Sequence, residues 1–237
     1  MPDPNPNTKS PKKIGIVTKI LTQALKLWLR AQVSLVSELE VQIRASDRQI
    51  FSGCIPWVSI AASHAVYQGL HVRQVELVAE NIQVNIGSVL KGQPLRLLET
   101  VPVIGQLIIE EKDLNDSLSS ELLSTALNEV LVQVLPEHCP KTKLITWQKI
   151  ILDNNQMILF GLAITESEST PLEITVGLEL LSGHELQLSL LRIQYNMVAE
   201  IEGNHKYNLD LGSEVDIQEL TLMPDKLVCR GRINVNP

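Results

Sequence analysis

The sequence predicts an α+β fold, in which a curled, mostly antiparallel β-sheet wraps a long N-terminal amphipathic helix and a second helical region lies near residues 113–135. Apolar and polar residues alternate at every second position over most of residues 40–109 and again in the C-terminal part of the chain, as in half-buried strands. Polar residues before residue 40 instead recur at steps of three and four, the spacing of one side of a helix. Segregation of strands from helices indicates an α+β fold rather than an alternating α/β fold.

The composition of the 237 residues indicates a globular chain with an aliphatic core, because 44% of the residues are apolar and only 3% are aromatic. The net charge of −7 is distributed unevenly, since residues 1–37 contain six basic groups and one acidic group. The acidic remainder argues against a general nucleic-acid-binding protein. A basic N-terminal segment on an acidic body requires a local explanation.

The chain divides into a disordered tail at residues 1–11 and a single domain at residues 12–237. The tail is rich in proline and asparagine and has too little apolar surface to fold. A helix followed by strands occurs twice in the domain, which suggests a weak internal duplication into residues 12–135 and 136–237. The alternative is that two hairpin-rich regions simply look alike, and the sequence leaves this choice open.

The N-terminal helix is predicted to cover residues 12–39. One stripe of its surface is polar and contains the basic residues Lys19, Lys26 and Arg30. The remaining surface is apolar over a wider arc than an ordinary surface helix needs. The complete polar stripe consists of Lys19, Gln23, Lys26, Arg30, Ser34 and Ser37.

Turns and interruptions are predicted within the strand-rich regions. Residues 47–49 are expected to form a turn between strands. The apolar alternation changes face between Ala79 and Ile82, which predicts a β-bulge or a break in the strand. The strand at Val101–Ile109 is largely apolar on both faces. Protein could cover both faces, or one face could meet the core and the other an apolar ligand, and the sequence leaves this choice open.

The acidic run at residues 110–113 has two interpretations: a pair of carboxylates for acid–base chemistry, or the end of a strand running into a helix that Asp113 caps. The second is favoured, and Ser120 is the expected cap of a further helix. No G-x-S-x-G, H-E-x-x-H, P-loop or dinucleotide-binding motif occurs. We therefore expect no enzymatic activity. A hydrolase that uses dispersed residues such as His184 and Asp210 is the minor alternative.

The cysteines and histidines do not indicate a metal or a disulfide framework. The chain has three cysteines, an odd number, and they are widely spaced at Cys54, Cys139 and Cys229. Histidine and cysteine do not occur as the spaced pairs of a zinc site. We expect no metal site and no cofactor.

The basic stripe of the N-terminal helix has three interpretations. It is the solvent face of a core helix, a surface that contacts an anionic bilayer, or a docking site for a protein or nucleic-acid partner. The first two are compatible. No apolar run is long enough to span a membrane, and Lys19, Lys26 and Arg30 interrupt any signal-peptide core. We therefore expect neither a transmembrane helix nor a signal peptide.

Five stretches together resemble a known family: VYQGL, VELVAENIQVNIGSVLKGQPLRL, VPVIGQLIIEEKDLNDSL, LLSGHELQL and LGSEVDIQELTLMPDKLVCRGRINV. They resemble the LmeA-like phospholipid-binding family, in its cyanobacterial branch, over roughly residues 14–236. The acidic helix start at Asp113-Leu114-Asn115 is the most specific of these features. The resemblance implies a fold similar to tubular lipid-binding modules and a membrane-associated protein without enzymatic activity, whose one expected ligand is a bound phospholipid.

One departure from the family bears on location. Exported members carry an N-terminal export or anchor segment, whereas this chain has the proline- and asparagine-rich tail and the basic helix. This difference favours the cytoplasmic side of a membrane, with the protein peripheral to it.

The predicted function is non-enzymatic binding, extending to transfer, of a phospholipid or similar amphiphile at a membrane surface. The alternative is a scaffold protein whose apolar helix face docks a protein partner. The expected partner is a phospholipid or a membrane surface. We expect no binding to nucleic acid. The sequence leaves the oligomeric state open. The predicted lipid- or membrane-binding residues are Lys19, Ile20, Lys26, Leu27, Trp28, Arg30 and Ala31.

Overall fold

The computed structural model describes residues 15–89, 91–134, 144–164, 169–195 and 199–237. Helices within these ranges are α1 (Ile16–Gln32), α2 (Asp47–Phe51), α3 (Ile86–Val89), α4 (Glu111–Asp116) and α5 (Glu121–Val134). Strands are β1 (Glu38–Arg44), β2 (Cys54–Tyr67), β3 (Leu70–Gln83), β4 (Val101–Glu110), β5 (Leu144–Asp153), β6 (Gln156–Ile164), β7 (Ser169–Ser182), β8 (Glu185–Tyr195), β9 (Ala199–Asp210), β10 (Val215–Met223) and β11 (Lys226–Val235). The predicted tail at residues 1–11 lies outside the described residues.

The strands form two antiparallel sheets, neither of which is closed. The first has six strands in the order β1-β2-β3-β4-β11-β10, and the second is a five-stranded meander from β5 to β9. The predicted mostly antiparallel α+β fold is confirmed, but the prediction of one sheet is wrong. The difference arises because the C-terminal hairpin β10–β11 pairs with β4 instead of extending the meander beyond β9. The predicted duplication is not tested by this pairing and stays a prediction.

Helix α1 lies against the six-stranded sheet. Leu21, Leu25 and Leu29 pack on the buried residues of β1 and β2. The predicted end of this helix at residue 39 is wrong, because the chain becomes extended at Val33 and pairs with the end of β2. The Ser34 amide donates to the Val66 carbonyl at 2.8 Å. The predicted start at residue 12 lies outside the described residues.

The predicted turn at residues 47–49 is instead the short helix α2. Ser46 and Gln49 form a capping box, in which each side chain accepts a hydrogen bond from the other residue's backbone amide. The carboxylate of Asp47 also accepts a hydrogen bond from the Thr18 amide at 3.2 Å. Asp47 thereby caps the first turn of α1, whose own N-cap residue, Gly15, has no side chain to do so.

The second helical region consists of α4 and α5, as predicted near residues 113–135. Glu110, and not Asp113, is the N-cap residue of α4, and Asp113 completes a capping box with it. The Ser120 hydroxyl accepts a hydrogen bond from the Leu123 amide at 3.2 Å, so the predicted cap of the second helix is confirmed. The predicted β-bulge or break between Ala79 and Ile82 is wrong, because β3 runs unbroken through these residues and its register with β2 does not shift. The change of face is instead accompanied by a positive φ of 54° at Asn81.

The largest buried cluster of the described residues lies on the inner face of the five-stranded sheet. Ile150, Ile174, Leu190 and Ile193 are fully buried there. Leucines of α5 and Ile109, Leu114 and Leu222 from the neighbouring elements join this cluster. Side chains from other elements therefore cover the inner face of the five-stranded sheet. The six-stranded sheet is covered less completely, as described below.

Candidate functional site

The inner face of the six-stranded sheet is apolar at every paired position over its central part. Three cross-strand rows run from β1 to β10, and residues paired across antiparallel strands share a face. No polar side chain occurs in these rows. The rows are Leu39–Ala62–Val75–Leu107–Cys229–Leu220, Val41–Ile60–Leu77–Gly105–Gly231–Ile217 and Ile43–Val58–Ala79–Val103–Ile233–Val215.

Burial decreases across these rows. Leu39, Val41 and Ile43 of β1 are buried under α1, whereas the β10 and β11 residues are half-buried or exposed. Ile233 retains 46% of its accessible surface. We name the uncovered part the open wall; within the described residues, its members belong to none of the three buried clusters. The open wall consists of Leu77, Gly105, Val215, Ile217, Leu220, Cys229, Gly231, Ile233 and Val235.

The open wall has the dimensions of an acyl chain. At its widest, in the row of Leu77 and Gly105, it crosses strands β3, β4, β11 and β10, which at about 4.8 Å between strands is about 14 Å. Along β11 it runs from Cys229 to Val235, which at about 3.4 Å per residue is about 20 Å. An acyl chain in a bilayer spans about 15 Å, half of the hydrocarbon thickness. One or two chains would therefore fit along the strands.

Two glycines pair at the middle of the open wall. Gly105 of β4 lies opposite Gly231 of β11 and opposite Leu77 of β3. A Cβ at Gly105 would lie 2.8 Å from the Leu77 Cδ2 atom, the end of a flexible side chain. A Cβ at Gly231 would lie 2.6 Å from the Asp216 carbonyl oxygen, because β10 has a bulge here. The neighbouring groups therefore come closer to these two glycines than a side chain would allow.

Cys229 is a thiol of the open wall. It is half-buried, and burial raises the pKa of its thiol. The neutral thiol is therefore the dominant form at neutral pH, and the side chain behaves as a small apolar group.

Helix α1 presents three faces. Leu21, Leu25 and Leu29 face the sheet. A stripe of exposed apolar residues lies on the far side, and the basic residues occupy a ridge about a quarter-turn from it. Within the described part of the chain, Lys19, Lys26 and Arg30 form no salt bridge. The exposed apolar stripe consists of Ile16, Ile20, Ala24, Leu27 and Ala31, with Trp28 at its border.

The structure places the predicted site residues on the outer side of α1. Ile20 and Leu27 are 65% and 67% exposed, and Trp28 and Ala31 are exposed as well. These side chains do not pack against the six-stranded sheet. Lys19 and Arg30 are exposed and Lys26 is half-buried. The predicted residues therefore form one continuous surface, while the open wall contains none of them.

The open wall was missed by the sequence analysis. Its signal was present in β11, where Cys229, Ile233 and Val235 recur at even spacings and Arg230, Arg232 and Asn234 lie between them. The missing information was the pairing of β11 with β4, which joins residues more than a hundred positions apart.

The acidic run at residues 110–113 has a structural role. The Glu111 carboxylate accepts a hydrogen bond from the Leu152 amide at 2.9 Å, and Asp113 accepts one from the Glu110 amide at 3.0 Å. Asp210, the other acidic candidate, accepts a hydrogen bond from the Gly212 amide in a turn. Among the described residues, no group of three or more His, Cys, Asp or Glu is arranged to hold a metal ion.

In the described part of the chain, every helix is too short or too polar to cross a bilayer.

A family model described as LmeA-like phospholipid-binding matches residues 13–232. No curated protein and no solved structure matches the chain.

Proposed function

Because the chain belongs to the LmeA-like phospholipid-binding family, we propose that it binds a phospholipid with the acyl chains along the open wall and the head group near a membrane surface. Binding, and exchange with the bilayer, would be its whole activity, without bond chemistry. The earlier resemblance to the family is confirmed. The narrower placement in the cyanobacterial branch, the cytoplasmic side and the transfer step stay predictions.

The observation that supports this proposal most strongly is the uninterrupted apolar face of the six-stranded sheet, about half of which belongs to no buried cluster among the described residues. An apolar surface of this extent is unusual on a folded domain unless it meets a ligand or partner. Aliphatic walls with few polar groups are typical of sites for apolar ligands. The family match states which apolar ligand is expected.

The energetics suit reversible binding. Removing one methylene from water contributes about 0.8 kcal/mol. A phospholipid that enters from a bilayer, however, already has its chains in an apolar environment, so the net transfer free energy is close to zero. The open wall would then exchange lipid with a membrane rather than hold it permanently.

The outer surface of α1 is the proposed membrane contact. Ile20, Leu27, Trp28 and Ala31 would enter the interfacial layer while Lys19, Lys26 and Arg30 meet anionic head groups. Each basic residue near such a surface contributes about 1 kcal/mol. The attraction should therefore weaken as salt is added.

Native mass spectrometry of the purified full chain, with organic extraction of what co-purifies, tests the proposal. We expect a phospholipid in a stoichiometric complex, and we expect Ile233→Asp to abolish it by placing a carboxylate on the open wall. The matched control is Ile104→Asp, because Ile104 lies on the opposite face of the sheet, is 60% exposed and pairs with Arg232. A lipid-free mass with no uptake from added vesicles, or equal loss in both variants, would refute the proposal.

A second candidate function is protein docking, which the exposed apolar stripe of α1 favours. Amphipathic helices present such stripes to hydrophobic grooves. Sedimentation with vesicles separates the two, because the lipid proposal requires binding that depends on anionic lipid. Binding that is equal on neutral and anionic vesicles, or absent from both, would favour the scaffold function for this surface.

A further inference from the structure

Large exposed apolar side chains occur together at one end of the six-stranded sheet. At this end β1 and β3 finish, β2 and β4 begin and β11 finishes. We name it the tip and define it as residues 15–20, 44–53, 84–89 and 91–100. Its exposed apolar residues are Ile16, Ile20, Phe51, Leu95 and Leu98, which retain 75%, 65%, 59%, 56% and 58% of their accessible surface.

Hydrogen bonds hold the segments of the tip together. Asp47 joins α2 to the first turn of α1 through the Thr18 amide. The Val84 amide donates to the Gly53 carbonyl at 2.8 Å. The Asn85 side chain accepts from the Arg96 amide at 2.7 Å and donates to the Pro94 carbonyl at 3.0 Å. The exposed residues therefore stand on one connected surface.

The loop that carries Leu95 and Leu98 is anchored rather than detached. Leu97 packs into the core beside Val84, with which it forms a β-bridge. The Leu98 amide donates to the Gln83 carbonyl at 2.9 Å. The loop thus partly buries Leu97 and leaves Leu95 and Leu98 exposed, although hydrogen bonds hold the loop in place.

The tip is basic on an acidic protein. It contains five basic residues and two acidic ones, in a chain of net charge −7. Of the two acids, Asp47 is engaged with Thr18, and Glu99 is exposed. Within the described residues, Lys19, Arg48, Lys91 and Arg96 form no salt bridge. The fifth, Arg44, lies over the Trp57 ring at 4.0 Å.

The opposite end of the sheet has the reverse charge. There the turn between β10 and β11 and the helices α4 and α5 meet, and the acids outnumber the bases. The acidic residues at that end are Glu110, Glu111, Asp113, Asp116, Glu121 and Asp225, and the basic ones are Arg73, Lys112 and Lys226. An anionic surface would therefore attract the tip and repel the opposite end.

The open wall reaches the tip. Ile233 and Val235, its two most exposed members, lie where β11 finishes beside the start of β4. A lipid on the wall would thus have a continuous apolar path to the residues of the tip.

We propose that the tip is the part of the protein that inserts into an anionic bilayer, and that lipid passes between bilayer and open wall at this end. This inference rests on the proposed function and refines it, because it orients the protein end-on. The end-on orientation narrows the membrane contact proposed above for α1. Its first half would enter the interface with the loops, whereas its second half, with Leu27, Trp28 and Ala31, would lie farther from the bilayer and contribute less to binding.

A polarity-sensitive fluorophore on single cysteines tests the orientation. In a background of Cys54→Ser, Cys139→Ser and Cys229→Ala, the labelled variants are Phe51→Cys and Leu95→Cys at the tip and Leu122→Cys on α5, whose side chain is 43% exposed. The probe is vesicles of phosphatidylcholine mixed with phosphatidylglycerol. We expect a blue-shifted emission, and quenching by lipid-borne quenchers, at both tip positions and neither effect at Leu122→Cys.

Sedimentation with the same vesicles gives an independent measurement. Replacing Arg48, Lys91 and Arg96 by glutamine should reduce vesicle affinity on the order of tenfold or more. The triple variant Phe51→Ser, Leu95→Ser and Leu98→Ser should also lose binding. Tyr67→Ser, Leu122→Ser and Leu181→Ser form the matched control, since these residues are exposed elsewhere, and this control should bind as the wild type does.

The inference fails if vesicle-bound protein shows no spectral change at the tip, or an equal change at Leu122→Cys. It also fails if both triple serine variants lose binding equally. These results would leave the proposed function standing as long as native mass spectrometry detects the phospholipid, so the two failures are distinguishable.

Discussion

Asn115 illustrates how a residue can be recognised from sequence while its role is not. The motif at Asp113-Leu114-Asn115 was expected only as the start of a helix. In the structure the Asn115 side-chain amide donates to the Ile150 carbonyl at 2.8 Å, and its oxygen accepts from the Ile150 amide at 2.9 Å. It therefore pairs with the edge of β5 as a neighbouring strand would, and fixes α4 to the five-stranded sheet.

Replacing this amide should destabilise the fold. Asn115→Ala would leave the amide and carbonyl of Ile150 without partners in a partly buried place, which we expect to lower the free energy of unfolding by about 2–4 kcal/mol. Urea denaturation measures the effect. Asn208→Ala is the control, because its exposed hydrogen bonds with Glu185 and Gln187 should contribute little. Equal losses of unfolding free energy in the two variants would contradict the proposed role of Asn115 in fixing α4 to the five-stranded sheet.

The two opposed glycines of the open wall should respond differently to the same change. Gly231→Ala brings a Cβ against the backbone of β10 and should lower the free energy of unfolding by roughly 2 kcal/mol or more. In Gly105→Ala the close contact is with the end of the Leu77 side chain, which can rotate, while the Glu76 carbonyl oxygen lies at an ordinary 3.4 Å, so we expect less than about 1 kcal/mol. Thermal unfolding of both variants checks this order, and a larger loss for Gly105→Ala would contradict it.

At the scale of elements, the sequence predicted the existence of α1 but neither its C-terminal end nor which side of it faces the sheet. Nearly all positions outside its polar stripe are apolar, so the periodicity alone allowed several orientations. The hydrogen bonds of Thr18 to Asp47 and to the Ala45 carbonyl fix the orientation. They turn Leu21 and Leu25 inward and leave Ile20 and Leu27 outside. Such contacts between separate elements have no periodic signal in a sequence.

At the scale of the whole molecule, local patterns predicted the strands, whereas the arrangement of the sheets depended on distant pairing. Alternation indicated β4 and β11 separately, because each strand has one consistently apolar face. Their pairing places Val103 beside Ile233 and Leu107 beside Cys229, and only this pairing creates the open wall. Tertiary contacts across more than a hundred residues decide between one sheet and two, and local periodicity contains no information about them.

The central claim is that phospholipid lies along the open wall, and the reactivity of Cys229 tests it most directly. The measurement is the alkylation rate, at one fixed pH, of Cys54→Ser/Cys139→Ser protein that is either loaded with phospholipid or delipidated. The exposed loop residue Ser213, replaced by cysteine in a background without other thiols, is the control. We predict that bound lipid slows alkylation of Cys229 severalfold and leaves the control thiol unchanged. An unchanged rate at Cys229, in protein shown by native mass spectrometry to contain lipid, would place the lipid elsewhere and contradict the claim.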